Sequence, residues 1–149
     1  MYTVPGKSCL RIFLLAIFPI VASCTLDAQQ TLVTIADARS HPAQLIDLGD
    51  TGDSVGDLLV FDQPLLDSDM QIIGNNSGTC IRTSPAHSFQ CQWTLSLPEG
   101  SISVAGREFD TGTSLLGIIG GTRKYSGITG ELESTNNNDG TFTQILRYR

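Results

Sequence analysis

A few side chains in this sequence could do chemistry. Asp47 follows Leu45 and Ile46 in a strand-like run. A carboxylate turned from such a run into an apolar interior is desolvated, which raises its pKa and suits it to general acid or base work, whereas at a strand end it is an ordinary surface acid. Asp47 is therefore the candidate catalytic residue. Asp62 and Gln63 close the next apolar run just before Pro64, where they would either hydrogen-bond the polar end of a ligand or cap the turn. Arg82 and Arg107 sit in strand-like segments and are candidate anchors for a carboxylate, and Trp93, on an apolar stripe, is a candidate wall of a pocket. Packing in the core or on the surface is the competing role for all three.

Other constellations carry less. Asp47, Asp50, Asp53 and Asp57 are interleaved with Gly49, Gly52 and Gly56. They lack the alternating ligands and closing glutamate of an EF-hand loop, so they read as a solvated acidic loop. His41 and His87 lie beside prolines or in turns, away from any second ligand at zinc spacing. There is no Gly-x-Ser-x-Gly nucleophile motif. The glycine-rich Gly117–Thr122 stretch lacks the Lys-Ser/Thr ending of a phosphate loop. No metal and no cofactor is expected.

The elements that must position these residues are strands. Apolar runs of four to eight residues recur near 43–48, 55–61, 71–82, 89–97, 101–107, 113–119, 125–134 and 141–148, separated by Gly, Asp, Asn, Ser or Pro. Alternation is clear at Trp93, Leu95 and Leu97, and again at Ile102 and Val104. Pro98-Glu99-Gly100 and Asn138-Asp139-Gly140 are tight-turn signals that make neighbouring strands antiparallel. No helical period lasts long enough to supply a crossover. The expectation is an all-β protein, an eight-stranded antiparallel up-and-down β-barrel over residues 43–149, with room for interior side chains or one small ligand.

Ahead of the barrel, Lys7 and Arg11 precede the apolar run Ile12 to Ile20 and the small residues Val21, Ala22 and Ser23. This is the pattern of a secretory signal peptide over residues 1–23, and the run is about half the ~20 residues a transmembrane helix needs. A polar lead-in over 24–42 follows. Val21-Ala22-Ser23-Cys24 is similar to a bacterial lipobox, so either Cys24 is lipidated and holds the protein to a membrane, or cleavage releases a secreted product. Cys80 and Cys91 flank a turn centred on Pro85-Ala86 and would lie opposite each other in a hairpin, which predicts a disulfide in an oxidising compartment. The formal charge of the whole chain is −6 with no basic cluster, which argues against nucleic acid as a partner.

Three pieces carry a family resemblance. They are Val55–Leu65; Ile73-Gly74 with Ser77–Cys80; and Gly100–Gly106 followed by Ile118–Gly127 with its Gly-Gly-Thr turn. Together they resemble the allene oxide cyclase and dirigent barrel superfamily. The resemblance implies an eight-stranded barrel, commonly trimeric, whose apolar interior holds a lipid, polyketide or phenolic substrate. It places the first-strand glutamate of the plant cyclases at Asp47 and their second asparagine at Gln63. The aspartate of dirigent proteins that follows a phenylalanine falls at Asp62. The function expected is an exported barrel that binds an apolar small molecule, as an isomerase or cyclase; a non-catalytic carrier and a structural envelope lipoprotein are the alternatives.

Overall fold

The computed structural model describes residues 28–149. The signal-peptide and Cys24 expectations lie outside the described residues. The described residues form nine strands: β1 (Gln30–Asp37), β2 (Gln44–Ile46), β3 (Leu58–Leu66), β4 (Ile72–Ser84), β5 (Ser88–Leu97), β6 (Gly100–Phe109), β7 (Thr113–Gly121), β8 (Gly130–Asn136) and β9 (Thr141–Tyr148). A single turn of 3-10 helix, Arg123–Tyr125, interrupts the link from β7 to β8. From β3 to β9 each strand pairs antiparallel with the next, and β1 runs along all of β9. The ring closes where Ile35 and Ala36 of β1 pair with Leu66 and Leu65 of β3. Closure leaves no long unpaired edge. The eight-stranded antiparallel barrel expected from the sequence is therefore the fold, built from β1 and β3–β9.

The first strand differs from the expectation. It is β1, which lies inside the segment read as a polar lead-in, while the run at 43–48 yields only the three exposed residues of β2. On β1 the buried positions are Thr34 and Ala36, whereas Val33 is exposed. A strand that turns a threonine and an alanine inward does not show the apolar alternation that marks its neighbours. β2 pairs with the first half of β3, the part of its edge that β1 leaves free.

Register follows from the hairpins. The β4–β5 pairing sets Cys80 opposite Cys91 with Cα atoms 4.0 Å apart, and the two form a disulfide. One end of the barrel carries the 67–71, 98–99 and 122–129 connections and is filled. There Leu65, Leu95, Ile102, Leu132 and Leu146 are wholly buried, and Tyr125 meets Tyr148 edge-on at 6.0 Å. Each such aliphatic side chain contributes about 2 kcal/mol through burial. The other end carries the 38–57, 85–87, 110–112 and 137–140 connections. Its interior is not filled.

Candidate small-molecule cavity

Period-2 alternation sends Leu59, Phe61 and Gln63 inward from β3, Asn76 and Cys80 from β4, Trp93 from β5 and Glu108 from β6. Ser134, Phe142, Gln144 and Ala36 complete the wall from β8, β9 and β1, and Ala43 lies at the rim. They line a cleft that opens at the unfilled end of the barrel, with about 450 Å³ of empty space when the solvent at its mouth is included. One residue without a side chain shapes it. Gly78 sits between Phe61 and Trp93 in a single cross-strand row, and a Cβ there would come within 2.3 Å of the Trp93 Cβ. Its absence lets the indole reach across β4 to Phe61, with ring centroids 6.1 Å apart in an edge-to-face pair.

Polar groups interrupt this apolar wall. Gln63 and Asn76 are cross-strand partners, both buried. Thr34 donates its hydroxyl to Gln144 Oε1 at 3.2 Å. Ser134 donates to Glu108 Oε1 at 2.8 Å. Three polar atoms of the lining are buried without a hydrogen-bond partner: Asn76 Oδ1, Trp93 Nε1 and Glu108 Oε2. Leaving such an atom unpaired costs about 1–3 kcal/mol. Three in one cavity mark a site where a ligand could supply the missing partners. Burial pushes the Glu108 carboxyl up to about 7, against the opposing effect of the Ser134 and Ser114 hydroxyls. Glu108 is the single ionisable side chain of the lining, because Cys80 is bound in the disulfide. Among the described residues no group of three or more His, Cys, Asp or Glu side chains could hold a metal ion.

Comparison with solved structures gives the fold a context. Pyocyanin demethylase is 24% identical with a TM-score of 0.68, over 82% of this chain and 100% of that one. A pterocarpan synthase dirigent protein is 16% identical with a TM-score of 0.62, over 82% of this chain and 94% of that one. The Diels-Alderase AbmU from Streptomyces koyangensis is 16% identical with a TM-score of 0.61, over 81% of this chain and 63% of that one. No family model matches the chain, and no curated protein does. The chain shares its eight-stranded barrel fold with these structures. At these identities the likeness extends to the fold and no further.

Within this barrel the expected site residues separate. Gln63 and Trp93 line the cavity. Asp47 does not reach it: β2 ends at Ile46 outside the ring, and the exposed Asp47 carboxylate accepts the Gly52 N–H at 3.0 Å. Asp62 is on the outer face, one residue out of phase with Gln63, and accepts from Asn75 Nδ2. Arg107 is likewise exposed, one residue out of phase with Glu108. Arg82 is buried but is absent from the lining, its guanidinium lying 3.6 Å over the Phe89 ring. Arg82 Nη1 donates to Asp110 at 2.6 Å, and Nε lies 2.6 Å from Asp53, an ion-pair contact off the N–H direction. The two carboxylates balance its charge, so it ties the 38–57 connection to the start of the 110–112 connection.

The acidic loop is likewise structural. Asp57 accepts from the Ser54 N–H at 2.8 Å and the Leu48 N–H at 2.9 Å, and these bonds hold its carboxyl below the usual range. Sequence reasoning missed Glu108, Asn76 and Gln144. A signal for Glu108 was present, since counting by twos from Ile102 and Val104 arrives at it.

Proposed function

We propose that this protein binds an apolar small molecule in the open half of its barrel and acts on it as an isomerase or cyclase. The observation that carries this is the apolar cavity whose wall holds three unpartnered polar atoms. The aromatic and aliphatic wall confines the body of the substrate. Asn76, Trp93 and Glu108 receive its polar end. Holding a flexible molecule in one reactive conformer removes much of the entropic part of a barrier and needs no cofactor. Solved neighbours on the same fold include a Diels-Alderase and a pterocarpan synthase dirigent protein, so this barrel shape accommodates such chemistry elsewhere. We further propose that the chain is exported on residues 1–23, and that Cys24 carries a lipid; a C24A protein with unchanged mass and membrane partition would refute the lipid.

Trp93 is the single tryptophan of the chain and stands in the cavity wall, so its emission reports occupancy. Titration with an apolar extract of the host should change that emission saturably. Ala36→Phe, which places a ring in the cavity from β1, should abolish the change while leaving a folded barrel by circular dichroism. Equal responses from the two proteins would refute the reading.

A further inference from the structure

Glu108 is set apart from every other acid among the described residues by its surroundings. It stands in the wall of the cavity, Oε1 is held by the Ser134 hydroxyl at 2.8 Å, and Oε2 is buried without a partner. The same wall offers an unpartnered donor, Trp93 Nε1–H, on a side chain that is 4% exposed. A held carboxylate with one unengaged oxygen, and a buried N–H awaiting an acceptor, are the two groups that moving a proton next to a carbonyl requires. We propose that Glu108 is the proton-transferring residue of this cavity and that its substrate is a β,γ-unsaturated carbonyl compound, which the barrel converts to the conjugated isomer. This rests on the small-molecule reading above and names its substrate class.

The step balances without a co-reactant. Glu108 Oε2 takes a proton from the carbon between the carbonyl and the double bond. The C–H electron pair spreads into the π-system as a dienolate, whose oxygen accepts the Trp93 N–H. Glu108 then returns the proton to the far carbon, and the double bond moves into conjugation. Nothing is oxidised or reduced. The side chains that face Glu108 are Phe89 of β5, Ser114 of β7 and Ser134 of β8, all uncharged. Arg82, which shares the cross-strand row of Phe89 and Glu108, is engaged with Asp53 and Asp110, and Arg107, next to Glu108 on β6, faces outward. Burial therefore sets the basicity of Glu108, and a carboxyl at about 7 is a stronger base than an exposed one while still ionising near neutrality.

The test uses cyclohex-3-enone as the probe with the mature protein, following conjugated-enone absorbance and, with the probe deuterated at the carbon between the carbonyl and the double bond, transfer of that deuterium to the far carbon. The wild type should isomerise it above the buffer rate, with a rate rising through about pH 7. Glu108→Gln should lower the protein-dependent rate by about 100-fold while the probe still quenches Trp93. Ser134→Ala, which removes a bond that favours the carboxylate, should move the midpoint of that pH dependence to higher pH. Probe binding with equal rates from wild type and Glu108→Gln overturns this proposal and leaves the small-molecule reading standing. No quenching by the probe in the folded wild type overturns it too; the broader reading falls only if the host extract also fails to change Trp93 emission.

Discussion

Glu108 also makes a statement about stability. Its carboxyl is at about 7 in the folded protein, against 4.5 when unperturbed. Below the lower value the group is protonated whether the chain is folded or not. As pH rises through the higher one, the unfolded chain ionises more readily than the folded one, so stability is lost across that window, by about 3 kcal/mol in total. Glu108→Gln cannot ionise and should escape the loss. Urea unfolding of both proteins should show the variant gaining on the wild type from pH 4.5 to pH 8, and a constant difference would remove the carboxyl from the interior. At this scale the sequence was only half readable. Trp93 lay on a strand with clear alternation and Gln63 at the end of an apolar run whose inward side the sequence left open, and both reach the cavity. Asp62 and Arg107 belonged to strands that were correctly seen, but each is one residue from the inward face, and a slip of one in a period of two reverses the side. Asp47 failed for another reason, since whether a run enters a closed ring depends on pairing with distant strands.

The strands themselves show the same division. β4 and β5 were readable down to register, because the turn at Pro85-Ala86 and the two cysteines fix one pairing, and Cys80 does lie opposite Cys91. Replacing both cysteines by serine should cost about 3 kcal/mol in urea unfolding; an unchanged midpoint under non-reducing conditions would deny the bridge a stabilising role. β1 was not readable, because its inward Thr34 and Ala36 carry no apolar signal. Their size matters instead: Ala36 leaves space in the cavity, and Thr34 satisfies Gln144. Gly78 shows the same economy. Gly78→Ala forces a methyl against the Trp93 Cβ and the Gln92 carbonyl, so it should destabilise the barrel by about 1–3 kcal/mol and shift Trp93 emission. A neutral effect on both would mean that the β4–β5 spacing yields easily.

On the scale of the whole molecule, the closed ring separates two halves with different duties. The filled half supplies the burial that holds the barrel, and this permits the open half to keep a cavity and unpaired polar atoms at some cost in stability. Outside the ring, Ile46, Leu58 and Ile81 form one cross-strand row over β2, β3 and β4, with Val60 two residues along; Ile46, Val60 and Ile81 are exposed. That face is where a second copy would pack if the trimer implied by the resemblance forms. Light scattering should then give a multiple of the monomer mass, and Ile81→Lys should reduce it to one; a monomeric wild type would contradict this. The central claim, that the barrel holds an apolar small molecule, is tested most directly by native mass spectrometry of the mature protein from its own host, followed by denaturing extraction. The account predicts a defined added mass that is released on denaturation as one apolar compound. A clean unliganded mass that stays unchanged after exposure to a polyketide and fatty-acid extract would contradict it.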